Sequence, residues 1–294
     1  MLKLDLSGIF PALITPYLAD ESLDPAGMRR LVRLLAPDVQ GFVVNGTTGD
    51  FPLLTREERR RAIAAVVAEA GETHRVVAGT GAIATHEVLD LTRDAQAAGA
   101  DAALIVAPYY LRPSPAGLYR HYADIAAAVP DLPILLYNFP QLVGQPIPVQ
   151  VIQDLQAAHP NIVGMKDTSG DIGYMLEVLE KLPADFQVLA GRGTVFLPAL
   201  AAGAAGAILA CGNLIPGWWQ AVRQAILAGD WEAARAGQYR AQQVTRYVGR
   251  GGSLAVRAGL RLLGHDFGPA RRPLTPEGVL SEAELAGLRE ALSA

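Results

Sequence analysis

Eight short apolar runs, each bounded by turn residues, recur along the chain and constrain its fold more than any other feature. Most are rich in leucine or β-branched residues and lack polar alternation, which is typical of parallel strands covered on both faces. Segments with helical periodicity separate them. The predicted strands are Ile9–Thr15, Gly41–Asn45, Arg75–Gly79, Ala102–Ala107, Pro133–Tyr137, Ile162–Lys166, Phe186–Ala190 and Gly206–Ala210.

Helix start signals lie between these runs. Asp24-Pro25 and Ser114-Pro115 each place a capping side chain before a proline at the first helical position. Thr55-x-x-Glu58 has the capping-box pattern at the start of a predicted helix over Arg56–Ala70, and Ser281-x-x-Glu284 has it before the last helix.

Eight strand–helix units within roughly 210 residues match the count and length of a (β/α)8 barrel. The expected fold class is therefore α/β, a TIM barrel over residues 1–214, with residues 215–294 as a helical C-terminal extension of the same domain. An open doubly wound sheet is the alternative, because it also alternates strands and helices.

Composition excludes several classes of protein. With 51% hydrophobic and 18% charged residues the chain can bury a large core, and disorder is not expected. A formal net charge of −4 gives no basic footprint for nucleic acid. A single cysteine excludes a disulfide framework and cysteine-based metal clusters, and no two of the five histidines have the i, i+4 spacing of a helical metal site.

The uncharged stretch from Gly193 to Val222 is long enough to suggest a membrane span. Its glycines and prolines instead predict a short buried helix, a turn, a buried strand and a loop. The segment Met1–Pro16 carries Asp5 and two prolines, which makes a poor secretory signal. We therefore expect a cytoplasmic protein with no membrane partner.

Polar residues collect where the predicted strands end, at the face on which active sites of such barrels lie. Lys166 is the most informative of them, because the chain has only three lysines (Lys3, Lys166 and Lys181) against 22 arginines. A desolvated lysine can lose its proton and form a Schiff base with a carbonyl substrate, which arginine cannot do. The alternatives are a lysine that reaches the barrel rim, or one paired with Asp167 or another carboxylate.

Tyr137 ends the strand before that of Lys166, so its phenol could relay protons to the amine. Thr47 and Thr48 offer hydroxyls to the same relay, and the flanking Gly46 and Gly49 let backbone N–H groups approach a carboxylate. A capped turn and a core tyrosine are the structural alternatives.

These motifs together resemble the dihydrodipicolinate synthase/N-acetylneuraminate lyase family of pyruvate-dependent class I aldolases. The matching motifs are Gly46-Thr47-Thr48-Gly49, Pro108-Tyr109-Tyr110, Tyr137-Asn138-x-Pro140 and Gly164-Met165-Lys166-Asp167. The resemblance implies a (β/α)8 barrel with a helical C-terminal extension, a homotetramer, a small-molecule 2-oxo acid substrate, and no metal or organic cofactor.

The resemblance also implies roles for individual residues. Lys166 is the Schiff-base lysine, Tyr137 relays protons, and Thr47 and Thr48 bind the pyruvyl carboxylate, with Thr47 linking the relay. Tyr110 matches a tyrosine that in many members reaches the adjacent subunit's relay. The carbonyl of Ile208 matches one that lies near bound pyruvate.

Three positions depart from the family pattern and bear on the substrate. Members that make dihydrodipicolinate carry an arginine in the loop after the Tyr137 strand, and Leu142 stands there in this chain. Asp50 replaces the usual glutamate. Arg192, after Gly191 at the end of the seventh strand, stands where a small or acidic residue is often found, and could bind a substrate carboxylate from another wall or form a rim salt bridge.

Motifs in the second half, such as His159–Asp167, resemble the corresponding motifs of 4-hydroxy-2-oxoglutarate aldolases. Phe139, within Tyr137-Asn138-Phe139-Pro140, instead makes that motif resemble the one in 2-keto-3-deoxygluconate aldolases. The predicted function is therefore a lyase that makes or cleaves such 2-oxo acids with pyruvate or glyoxylate, with dihydrodipicolinate synthesis as the alternative. Two further alternatives are a non-catalytic pyruvate sensor and a nicotinamide-dependent oxidoreductase, the latter suggested by the relaxed GxGxxA pattern at Gly79–Ala84.

Overall fold

The computed structural model describes residues 4–293, so Lys3 and the ends of the predicted N- and C-terminal segments lie outside the described residues. Eight parallel strands form one sheet in the order β1-β8-β7-β6-β5-β4-β3-β2. The strands are β1 (Gly8–Pro11), β2 (Gly41–Val44), β3 (Arg75–Gly79), β4 (Ala102–Val106), β5 (Ile134–Asn138), β6 (Ile162–Asp167), β7 (Gln187–Ala190) and β8 (Gly206–Leu209).

The two edge strands of this sheet meet and close it into a barrel. Ala12 bridges Val43 in the parallel sense, and the Leu13 N–H donates to the Val43 carbonyl at 2.9 Å. The predicted (β/α)8 barrel is thus confirmed, and the open doubly wound sheet is wrong.

Helices follow the strands around the barrel, and three further helices follow β8. They are α1 (Pro25–Leu35), α2 (Arg56–Ala70), α3 (Thr85–Ala97), α4 (Pro115–Ala128), α5 (Pro140–Val143), α6 (Val149–Ala158), α7 (Ile172–Lys181), α8 (Phe196–Ala201), α9 (Pro216–Leu227), α10 (Trp231–Leu262) and α11 (Glu282–Ser293).

The predicted helix starts are confirmed by their capping hydrogen bonds. Asp24 accepts from the Gly27 N–H at 2.9 Å, and Ser114 caps α4 in the same way. Thr55 and Glu58 form the complete capping box of α2. Ser281 exchanges the same pair of bonds with Glu284 at the start of α11.

The first strand is shorter than predicted. The ladder of β1 stops at Pro11, which has no N–H to donate. Ala12 and Leu13 nevertheless still donate to the neighbouring strands, so the chain stays in the barrel wall with irregular geometry. The other strands begin and end within one residue of their predicted bounds.

The uncharged stretch contains α8, β8 and the start of α9, as its breaks predict. None of the helices within residues 4–293 has the length and apolarity needed to cross a membrane.

Two glycines of the Gly79–Ala84 pattern are explained by close packing around β3. A Cβ on Gly79 would lie 2.0 Å from the Asn45 carbonyl oxygen, and one on Gly81 would lie 2.4 Å from the Val106 side chain. The close approach of the neighbouring strands therefore explains why glycine stands at these two positions. A dinucleotide-binding motif is not needed to explain them.

A buried ion pair ties the turn after β2 to α10. Asp50 and Arg257 lie 3.7 Å apart, and each side chain is only 4% exposed. Burial raises the pKa of the Asp50 carboxyl and lowers the pKa of the Arg257 guanidinium. Arg257 also donates to the carbonyls of Thr15 and Phe267, whereas Oδ2 of Asp50 has no hydrogen-bond partner within residues 4–293. The buried carboxylate therefore relies on the charge of Arg257.

Removing Arg257 alone should leave Asp50 as an uncompensated buried anion. We expect Arg257→Met to lower the free energy of unfolding by about 3–5 kcal/mol. The double variant Asp50→Asn/Arg257→Met removes both charges and should regain most of this loss in urea unfolding. Because burial raises the folded-state pKa of Asp50, its protonation favours the folded protein, so the Arg257→Met penalty should be smaller at about pH 4 than at pH 7.

The matched control is Arg60→Met, which breaks the exposed 2.9 Å pair with Glu57 and should cost less than about 1 kcal/mol. If the double variant lost as much stability as Arg257→Met, the proposed interdependence of the two charges would be wrong.

Candidate active site

A cavity of about 570 Å³ opens at the carboxyl ends of the strands. Residues that follow β2, β5, β7 and β8 line it, together with the ends of β5 and β6 and one face of α10. Of the residues singled out in the sequence, those that line the cavity are Thr47, Thr48, Tyr137, Phe139, Leu142, Lys166, Gly191 and Arg192. The barrel therefore gathers the polar strand ends into one space.

Lys166 and Tyr137 are direct neighbours across β5 and β6. The Lys166 Nζ lies 4.2 Å from the centroid of the Tyr137 ring, and both residues are almost fully buried. No carboxylate in residues 4–293 pairs with Nζ. The Lys166 side chain is therefore buried beside the Tyr137 ring at the cavity. It neither reaches the barrel rim nor pairs with a carboxylate of the described residues, so both of those alternatives are wrong.

The Tyr137 hydroxyl contacts the hydroxyl of Thr47. The two oxygens lie 3.3 Å apart, a distance at which either can donate to the other. Thr47 begins a short 3₁₀ turn, Thr47–Gly49, that follows β2 directly, so the turn delivers its hydroxyl to the barrel mouth. Tyr137 thus contacts Thr47 through its hydroxyl and lies beside the Lys166 amine through its ring, so the phenol stands between β6 and the turn after β2.

Asp167, the residue after Lys166, forms hydrogen bonds with Asn138 and Ser169 and does not pair with the lysine. Its Oδ1 accepts from the Asn138 amide at 2.7 Å, and its Oδ2 accepts from the Ser169 hydroxyl at 2.7 Å. Asn138 in turn accepts from the Ile147 N–H at 3.0 Å. Burial raises the pKa of the Asp167 carboxyl. Since successive strand residues point to opposite faces, Asp167 fixes the loop behind the sheet while Lys166 faces the cavity.

The loop after β5 carries an apolar side chain at the cavity. Leu142 lies in the short helix α5 and is 60% exposed, and Phe139 packs against Tyr137 with 5.8 Å between ring centroids. This part of the wall offers a substrate no charged donor.

Arg192 lines the cavity beside β7. Its Nε donates to the Thr168 carbonyl at 2.8 Å, and the preceding Gly191 N–H donates to the Asp167 carbonyl at 2.6 Å. A Cβ on Gly191 would lie 1.9 Å from the Thr168 hydroxyl, so only glycine allows the chain to pass here. The salt bridge considered for Arg192 is not formed with any residue from 4 to 293.

Three sequence-predicted positions do not line the cavity. Gly46 precedes the 3₁₀ turn, and Ile208 is buried in β8, with Leu209 and Ala210 forming the wall beyond it. Tyr110 is 90% exposed and has a φ of 71°, a left-handed conformation that is uncommon for tyrosine. The structure of one chain therefore places Tyr110 at the surface, apart from the relay.

The contribution of α10 was missed by sequence reasoning, which treated the C-terminal helices only as an addition to the barrel. Seven α10 residues line the cavity: Thr245, Arg246, Val248, Gly249, Arg250, Gly252 and Ser253. Gly252 breaks the helix with φ 55° and ψ −133°. The available signal was the run Gly249-Arg250-Gly251-Gly252 inside a helical pattern, since glycines there mark a kink or a close approach.

Cys211 lines the cavity as a buried thiol. Burial raises its pKa to about 11, and Thr245 donates to its sulfur at 3.6 Å. A thiol with this pKa stays protonated near neutral pH, as expected of a small buried side chain that serves packing. No three His, Cys, Asp or Glu side chains within residues 4–293 are grouped to hold a metal ion.

Comparison with known proteins identifies the group to which the chain belongs. The dihydrodipicolinate synthetase family model matches residues 5–294. A Methanoculleus marisnigri protein named 4-hydroxy-tetrahydrodipicolinate synthase is 38% identical over 290 residues, which covers 97% of this chain and 98% of that protein. A Thermus thermophilus protein of the same name is 40% identical over 229 residues, covering 78% of this chain and 76% of that protein.

Solved structures agree with the family match. Dihydrodipicolinate synthase DapA-2 from Bacillus anthracis has a TM-score of 0.94 and 35% identity, with 99% of both chains covered. YagE from E. coli K12, solved in complex with pyruvate, has a TM-score of 0.91 and 29% identity, with 98% of both chains covered.

The names of the two relatives favour the dihydrodipicolinate alternative over the 4-hydroxy-2-oxoglutarate or 2-keto-3-deoxygluconate assignment that the sequence motifs suggested. The chain belongs to the dihydrodipicolinate synthase family of pyruvate-dependent class I aldolases, which are lyases that act through a Schiff base.

Proposed function

We propose that Lys166 is the Schiff-base residue of this protein, and that the enzyme joins pyruvate to an aldehyde or releases it from a 2-oxo acid. The observation that supports this most strongly is the buried Nζ beside the Tyr137 ring, in a cavity open to a small molecule. A lysine kept in an apolar strand without a carboxylate partner is suited to attack a carbonyl.

In the proposed reaction Nζ attacks C2 of pyruvate and forms a carbinolamine. Tyr137, bonded to Thr47, protonates the departing oxygen, and loss of water leaves an iminium. The Tyr137 phenolate then takes a proton from C3, which gives an enamine. Its C3 attacks the aldehyde carbon while Tyr137 returns the proton to the aldehyde oxygen, and water hydrolyses the new iminium to free the lysine. Thr47 and Thr48, which both line the cavity, would hold the pyruvyl carboxylate.

The covalent step is tested by reducing the protein with borohydride in the presence of pyruvate. We expect a stable adduct on the peptide containing Lys166 and none in Lys166→Ala. The matched control is Lys181→Ala, which removes an exposed lysine paired with Glu177 at 2.7 Å and should still trap pyruvate. Folded wild-type protein that forms no adduct at Lys166 would refute the proposal.

The relay is tested at Tyr137. Tyr137→Phe keeps the ring beside Lys166 but removes the hydroxyl that contacts Thr47, so turnover should fall by about 10²- to 10⁴-fold. Tyr239→Phe changes a 66% exposed tyrosine on α10 and should leave the rate as it is. Full steady-state activity in Tyr137→Phe would show that another group moves the protons, and absence of turnover in wild type would favour the pyruvate sensor.

Tyr110 would contribute to the same reaction only if the protein forms an oligomer. We infer that the protein is a homotetramer in which the exposed Tyr110 extends the relay of an adjacent subunit. Co-assembling Lys166→Ala chains with Tyr110→Phe chains should then create sites with both residues intact and raise activity above that of either variant. Mixed assemblies no more active than their parts would contradict this role.

The first candidate substrate class follows from the relatives named 4-hydroxy-tetrahydrodipicolinate synthase, which match nearly the whole chain. The aldehyde would then be aspartate 4-semialdehyde. The second candidate, cleavage of 4-hydroxy-2-oxoglutarate or 2-keto-3-deoxygluconate, is favoured by Leu142, which cannot bind a carboxylate as an arginine can.

A substrate panel separates these two candidates. We expect kcat/KM for pyruvate with aspartate 4-semialdehyde to exceed, by at least about 10-fold, the values for cleavage of the other two acids, a difference of about 1.4 kcal/mol in activation free energy. The reverse order would assign the protein to the 4-hydroxy-2-oxoglutarate or 2-keto-3-deoxygluconate class.

A further inference from the structure

The cavity has a charge opposite to that of the chain. The whole sequence carries 29 acidic and 25 basic residues. Among the described residues, the cavity is lined by four basic side chains and by no aspartate or glutamate: Lys166, Arg192, Arg246 and Arg250. Such a concentration of one sign favours an anionic occupant.

Two of the three arginines are free to bind it. Arg250 is paired with Glu284 of α11. Arg192 uses only its Nε, on the Thr168 carbonyl, and its terminal N–H groups contact no acceptor among the described residues. Arg246 is exposed and forms no salt bridge within residues 4–293, although it also borders the groove that Glu290 of α11 lines. The terminal N–H groups of Arg192 and the guanidinium of Arg246 are therefore available to an anion.

The strand register separates these donors from the amine. Lys166 is level with Leu189 of β7, so Arg192 follows three residues later, in the loop beyond the end of β7 at Ala190. Arg246 lies on α10 before the Gly252 kink and is exposed at the same mouth. A group bound by both arginines would lie at the cavity mouth, while a pyruvyl unit on Lys166 would lie at the strand ends.

We propose that Arg192 and Arg246 bind the terminal anionic group, a carboxylate or a phosphate, of the aldehyde that reacts with the pyruvyl enamine. This inference rests on the proposed Schiff-base chemistry and names the substrate class of the same site. Guanidinium groups bind both anions through paired N–H bonds. The loops after β5 and β7 flank β6 on its two sides, so the clamp supplies from the β7 side the charge that Leu142 cannot supply from the β5 side.

The test compares length-matched anionic and neutral aldehydes with saturating pyruvate. The pairs are succinic semialdehyde with butanal, and glyceraldehyde 3-phosphate with glyceraldehyde. We expect wild type to prefer the anionic member of at least one pair, and that pair tells a carboxylate from a phosphate. Arg192→Gln and Arg246→Gln should each reduce this preference, measured as a ratio of kcat/KM values, by about 10- to 100-fold, mainly through KM for the aldehyde.

Arg235→Gln, an exposed arginine of the same helix outside the cavity, is the control and should retain the wild-type ratio. If a neutral aldehyde reacts too slowly to measure, the loss with the anionic partner relative to Arg235→Gln decides. Equal losses for both members of a pair, or no anionic preference in wild type, would overturn the clamp. Borohydride trapping of pyruvate on each variant is read separately, because absence of trapping in wild type refutes the Schiff-base proposal instead.

Discussion

The register between β5 and β6 is the constraint on which the site depends. It aligns Tyr137 with Lys166 and Asn138 with Asp167, so two functional contacts follow from one pairing. Because side chains alternate between the faces of a strand, the phenol and the amine share the cavity while Asn138 and Asp167 bond to each other behind it. A slip of one residue would turn Lys166 away from the cavity.

Much of this arrangement can be predicted from the sequence, because local physics and topology agree there. Parallel strands covered on both faces must be apolar, so a lysine or tyrosine at a strand end stands out. Capping side chains such as Asp24 and Thr55 mark helix starts by chemistry that needs no tertiary contact. Barrel closure then brings together polar residues that are more than a hundred positions apart in the chain, such as Thr47 and Lys166.

The part that sequence reasoning missed depends on tertiary contacts. The glycine run at residues 249–252 marks a kink in α10, but nothing local shows that the bent helix lines the cavity. Nor does anything local show that Arg257 reaches the turn after β2 to meet Asp50. In the sequence Arg246 cannot be told from an ordinary surface arginine, and only the folded chain places it with Arg192 at one cavity. The shortened β1 is a smaller case, since Pro11 interrupts the ladder while the flanking apolar run continues.

The names of the relatives and the loop after β5 point toward different substrates, and the basic cavity wall offers a way to reconcile them. An aldehyde with a carboxylate needs a cationic donor, but it does not need that donor on the β5 loop. If Arg192 and Arg246 bind it from the β7 side, Leu142 is compatible with an acidic semialdehyde, and substrate choice is set jointly by the barrel and α10.

A crystal structure of the protein soaked with pyruvate tests the central claim most directly. We expect continuous electron density from the Lys166 Nζ to C2 of the bound acid, with its carboxylate at the Thr47–Thr48 turn. Pyruvate bound without a covalent link, or with its carboxylate at Arg192 while Nζ points elsewhere, would contradict it.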